Sequence, residues 1–82
     1  MKLFTVYDSK TENYLRPFTM LTKGEAIRGF AETANDPQSQ ICKYPADFTL
    51  FELGEFNEST GMISLLESKI NLGLALDFKN KE

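Results

Sequence analysis

The tetrapeptide Thr22-Lys23-Gly24-Glu25 divides this chain into segments of different periodicity. A threonine hydroxyl can accept from a free amide of the first helical turn while a glutamate three residues on reaches back to the threonine amide, so the pattern marks a helix start. Ala26, Ile27, Phe30, Ala31 and Ala34 then recur at helical spacing, with Arg28, Glu32 and Asn35 directed elsewhere, and Asn35-Asp36-Pro37 ends the run. An amphipathic helix is expected over 22–35, and its apolar stripe needs a surface to cover.

The flanks supply that surface. Lys2 to Asp8 and Tyr14 to Leu21 are rich in β-branched and aromatic residues and are separated by the polar stretch Ser9-Lys10-Thr11-Glu12-Asn13, which reads as an antiparallel hairpin over 1–21. Alternation in its second strand assigns Tyr14, Arg16, Phe18 and Met20 to one face and Leu15, Pro17, Thr19 and Leu21 to the other. Pro17 has no amide hydrogen to give a ladder, which argues for an edge or a bulge there.

A loop is expected over 36–47, with Tyr44 pinning it to the core. Strand chemistry returns in Phe48 to Phe56 and, after the turn residues Asn57 to Gly61, in Met62 to Leu66, giving a second hairpin over 48–67. The tail 68–82 reads two ways: Ile70, Leu72, Leu74, Leu76 and Phe78 alternate as in a strand, while Leu72, Ala75 and Leu76 suit a helical turn. One helical turn or an irregular packed tail is the expectation, with Lys79-Asn80-Lys81-Glu82 frayed. The fold class is α+β: an antiparallel four-stranded sheet in strand-strand-helix-strand-strand order with one helix packed on a face.

At 82 residues there is room for one domain with a modest core. Conformational entropy and apolar burial nearly cancel at this size, so oligomerisation is an expected source of stability. The single cysteine, Cys42, can form neither an intrachain disulfide nor a cysteine-based zinc cluster, which suits a reducing compartment. Met1 to Asp8 reach a charge before any long apolar run, so neither a secretory signal nor a membrane span is expected.

Histidine is absent, which removes the usual general base, triad partner and metal ligand together. No GxxxxGK[ST] or GxGxxG pattern occurs, and the five glycines are dispersed. Glu52, Glu55 and Glu58 read as a solvated, edge-protecting face and Cys42 as an inert thiol, so no catalytic residue, cofactor or metal is expected. One constellation carries a chemistry of its own: Tyr7, Tyr14, Arg16 and Phe18 on the first hairpin, with Lys2 and Lys10 beside them. Proteins that hold single strands stack bases on rings and line the backbone with cations. Phe18 suits the core better than stacking, and Lys23 and Arg28 suit either that surface or helix ion pairs with Glu25 and Glu32. Nine Lys and Arg against 12 Asp and Glu give a net charge of −3, so any site for a polyanion must be local.

Read as runs, Val6-Tyr7-Asp8-Ser9-Lys10, Tyr14-Leu15-Arg16-Pro17-Phe18, Lys23-Gly24-Glu25-Ala26-Ile27-Arg28, Asn35-Asp36-Pro37 and Asp47-Phe48-Thr49-Leu50-Phe51-Glu52-Leu53-Gly54, with the turn ending at Thr60-Gly61, are ordered and spaced over nearly the full length. In this the chain resembles the small nonstructural protein of gokushoviruses, the Microviridae branch of phages with circular single-stranded DNA. The last ten residues match that pattern poorly. The resemblance implies a nonstructural factor made in the host bacterial cytoplasm and tied to viral single-stranded DNA synthesis or DNA binding, with no catalytic motif to carry over. The expectation is a non-enzymatic homodimer that binds single-stranded DNA through Tyr7, Lys10, Tyr14, Arg16, Lys23 and Arg28. The rival is a protein-interaction module that engages a host or viral replication or assembly protein by strand addition at a sheet edge.

Overall fold

The computed structural model describes residues 1–79. It has one antiparallel sheet of five strands and one main helix, in the order β1 (Lys2–Asp8), β2 (Asn13–Tyr14), β3 (Phe18–Met20), α1 (Lys23–Ala34), α2 (Gln40–Lys43), β4 (Phe48–Phe56) and β5 (Ile63–Leu74). Short 3₁₀ turns occupy Pro45–Asp47 and Ala75–Phe78. The sheet order is β2-β1-β4-β5, and β3 pairs with β1 on the edge that β2 also uses. The expected order of elements holds, with the second strand split in two.

Both halves of the capping box form at α1. The Glu25 amide donates to Thr22 Oγ1 at 3.1 Å, and the Thr22 amide donates to Glu25 Oε1 at 3.3 Å. Ala26, Phe30 and Ala34 then bury one stripe against Phe4, Val6, Phe48 and Leu50 of β1 and β4, forming the core. Phe4 and Leu50 are fully buried, each stabilising the fold by about 1.5–3 kcal/mol relative to exposure. Helix α1 ends at Asn35, whose Nδ2 donates both to the Ala31 carbonyl (2.8 Å) and to the Phe78 carbonyl (2.9 Å). The tail is thereby tied to the helix, and the Phe78 ring meets Phe30 edge-on with centroids 5.8 Å apart.

The second strand corrects the alternation expected for it. Tyr14 pairs with Tyr7 and Phe18 with Phe4, and these partners lie on opposite faces of β1. Tyr14 therefore stands on the face that α1 leaves open, while Phe18 stacks on Phe4 at 5.7 Å beside the core. Leu15, Arg16 and Pro17, which belong to no strand, absorb the change of face. Pro17 has no amide to give, and the ladder is held locally by the Leu15 amide on the Val6 carbonyl (2.8 Å) and by Thr5 Oγ1 donating to the Leu15 carbonyl (2.8 Å).

Three further expectations change. Strand β5 continues to Leu74, so the alternating pattern of Ile70, Leu72 and Leu74 wins over a helical tail, and only Ala75–Phe78 turns as a 3₁₀ helix. The segment expected as loop contains α2, capped by Ser39, whose Oγ accepts from the Cys42 amide (3.0 Å) and donates to the Thr33 carbonyl (2.7 Å). Ile41 packs against the core and Tyr44 is exposed, so Ile41 and not Tyr44 is the residue that anchors this segment. Glu52 is buried, not solvated: it faces the helix side through its pairing with Phe4, with Lys2 Nζ 3.8 Å from its carboxylate. Residues 80–82 of the expected frayed end lie outside the described residues.

Candidate functional site

Because side chains alternate along a strand, burying Phe4, Val6, Phe48 and Leu50 under α1 sends Thr5, Tyr7, Thr49 and Phe51 to the other face. Among the described residues no helix covers that face. Tyr7 and Tyr14 meet there with ring centroids 4.7 Å apart, and Tyr14 meets Phe51 edge-on at 6.3 Å. Lys69 of β5 completes the group, its Nζ lying 5.6 Å from the Tyr14 centroid and 5.4 Å from that of Phe51. The ring quadrupoles draw the ammonium to this position, a contact worth about 0.5–1 kcal/mol where solvent reaches it.

Beside the rings lies a shallow recess of about 390 Å³, floored by Thr5 and walled by Tyr14, Leu15, Pro17, Leu53 and Lys69. The recess lies where Leu15–Pro17, between β2 and β3, interrupt the strand pairing. Tyr14 is 49% exposed, so about half of the residue is open to solvent. The chemistry on offer is therefore stacking and cation binding on one open surface.

The site residues expected from sequence divide between regions. Tyr7 and Tyr14 come together on the open face. Arg16 instead borders an apolar groove of about 450 Å³ between α1 and the 15–20 segment, where Glu32 also stands. Lys23 and Arg28 are exposed on α1, in the other layer. Lys10 sits in the β1–β2 turn, its amide donating to Asp8 Oδ1 at 3.0 Å, near Tyr44. Two residues of the open-face cluster were missed, Phe51 and Lys69. Phe51 could have been found from the alternation of Phe48, Leu50 and Glu52 around it. Lys69 carried no local signal, since its partner Tyr14 is distant in sequence.

Among the described residues no group of three or more Cys, Asp or Glu side chains is arranged to hold a metal ion, and no helix is long and apolar enough to cross a membrane. The Cys42 thiol accepts from Lys79 Nζ at 3.2 Å, remote from the open face. The model of one protein family, described as Phage ORF5 protein, matches residues 1–78. Neither a curated protein nor a solved structure matches the chain.

Proposed function

This chain belongs to the Phage ORF5 protein family, and on that premise we propose that it is a non-enzymatic phage protein that binds single-stranded DNA on the open face of its sheet. The observation that carries the reading is the position of Lys69 Nζ over the rings of Tyr14 and Phe51, with Tyr7 alongside. A single strand presents unpaired bases and a phosphate backbone together, and an open surface with a ring and a cation side by side answers both. A duplex keeps its bases stacked and offers this surface only phosphates. The net charge of −3 means that stacking, rather than a long-range field, supplies most of the affinity. Charges farther than about 8 Å from a bound phosphate are largely screened at physiological salt, so Lys69 acts locally.

The context we infer is support of viral single-stranded DNA synthesis in the host bacterial cytoplasm, in keeping with the sequence likeness to the gokushovirus small nonstructural protein. The absence of histidine supports a binding role over a catalytic one. Fluorescence anisotropy of labelled single-stranded and duplex oligonucleotides, repeated across a salt series, tests the reading. Tighter binding of the single strand, weakening as salt rises, is the expected result. Undetectable binding at low salt would overturn it.

A further inference from the structure

Strand β5 ends the sheet, so the outward backbone groups of Ile63–Leu74 have no strand partner among the described residues. Native edges are normally blunted by short length, proline, frequent charge or a bulge. This edge is 12 residues long, contains no proline, and carries only Glu67 and Lys69 as charges. Five of the ten large apolar side chains exposed among the described residues, Met62, Ile63, Leu65, Leu66 and Ile70, lie on it or lead into it. One such device is present: Leu65 pairs with Gly54 and Ile70 with Glu52, so 66–69 bulge from the ladder with β4 and have no register partners there.

We propose that β5 pairs antiparallel with β5 of a second copy of this chain, about a two-fold axis through Ser68. The charge pattern selects both the occupant and the register. Antiparallel pairing centred on Ser68 sets Glu67 opposite the partner's Lys69 and Leu66 opposite the partner's Ile70, and symmetry repeats each pair. Centring on Glu67 or on Lys69 sets like charges face to face, and in-register parallel pairing does so at both positions. Directly opposed unlike charges stabilise a strand pair and like charges destabilise it, so the segment is complementary to itself in one register. Such an isologous contact closes as a dimer, and a small domain with a modest core gains stability from it. Because Glu67 and Lys69 share a face, the two open faces join on the same side of one continuous sheet.

The proposed pairing shares Lys69 with the proposed DNA site, so it is tested without DNA, and its failure is read apart from failure of DNA binding. Sedimentation equilibrium of the full chain over a concentration series is expected to show a monomer–dimer equilibrium. Glu67→Lys and Lys69→Glu should each raise the dimer dissociation constant about tenfold or more, since each opposes like charges. The double exchange Glu67→Lys with Lys69→Glu restores the complementarity and should return the constant to near that of the parent. Circular dichroism on each variant separates loss of pairing from loss of fold. A parent chain monomeric at every concentration would overturn the proposal and leave the edge to a host or viral protein. A dimer unaffected by the single changes, or folded single variants not rescued by the double exchange, would overturn it equally.

Discussion

Asn35 Nδ2 donates to the carbonyl of Phe78 at 2.9 Å across 43 residues of sequence, joining the end of the main helix to the last turn of the chain. The same amide group caps the helix through the Ala31 carbonyl. Asn35→Ala removes both bonds. Each is worth about 0.5–1.5 kcal/mol, so a loss of about 1–3 kcal/mol is expected, read as a lower midpoint in urea unfolding. Amide hydrogen exchange should rise first in Ala75–Phe78, because that turn is the part fastened by the lost contact.

The helix start offers a smaller and cleaner effect. Thr22→Ala deletes the acceptor for the Glu25 amide and leaves the core untouched. The expected cost is about 1 kcal/mol, which for a domain of this size lowers Tm by about 4–8 °C in a thermal scan. Thr22→Ser keeps the acceptor and should restore most of the stability.

Two glycines should respond in opposite directions. At Gly54 a Cβ would collide with the Ser64 carbonyl oxygen, a backbone atom that cannot step aside without moving β5. Gly54→Ala is expected to cost about 1–3 kcal/mol through overpacking and to loosen the β4–β5 pairing. Gly29, within α1, has open space where a Cβ would stand. Gly29→Ala should stabilise the helix by about 0.5–1 kcal/mol, measured as a raised urea midpoint.

On the open face, Tyr14→Ala should weaken single-strand binding by about 1–3 kcal/mol for one lost stacked base. Lys69→Gln should lower affinity and flatten the log-salt slope by about the share of one phosphate. Lys23→Gln and Arg28→Gln, on the opposite layer, should leave both quantities unchanged. Anisotropy titrations at several salt concentrations check all four variants. Binding that follows Lys23 and Arg28 instead of Tyr14 and Lys69 would move the site to the helix.

The parts of this fold that were legible in sequence are those set by near neighbours. Thr22 and Glu25 announce the helix because a cap is made within one turn, and Ala26, Phe30 and Ala34 announce its buried stripe because helical spacing fixes a face. Relations between distant residues were harder to read. Alternation put Tyr14 and Phe18 on one face, and the break at Leu15–Pro17 parted them, because a missing proline donor shows where a ladder fails but not how the chain turns afterwards. Glu52 looked solvated because nothing local shows that it pairs with Phe4 and faces the helix side. Lys69 sat in a segment of ambiguous period, and only the pairing of β4 with β5 carries it to Tyr14 and Phe51. Half of the ring cluster was visible as Tyr7 and Tyr14, while the residues that complete it are supplied by topology.

The interruption at Leu15–Pro17 has a counterpart at the scale of assembly. It leaves one margin of the sheet with strands of two and three residues and a proline that cannot donate, so a further strand finds little there to grip. The other margin is long and open. A sheet with one blunt side and one receptive side is a poor template for a fibre: a strand added at β5 would use up the site of addition, and growth would stop at a single partner.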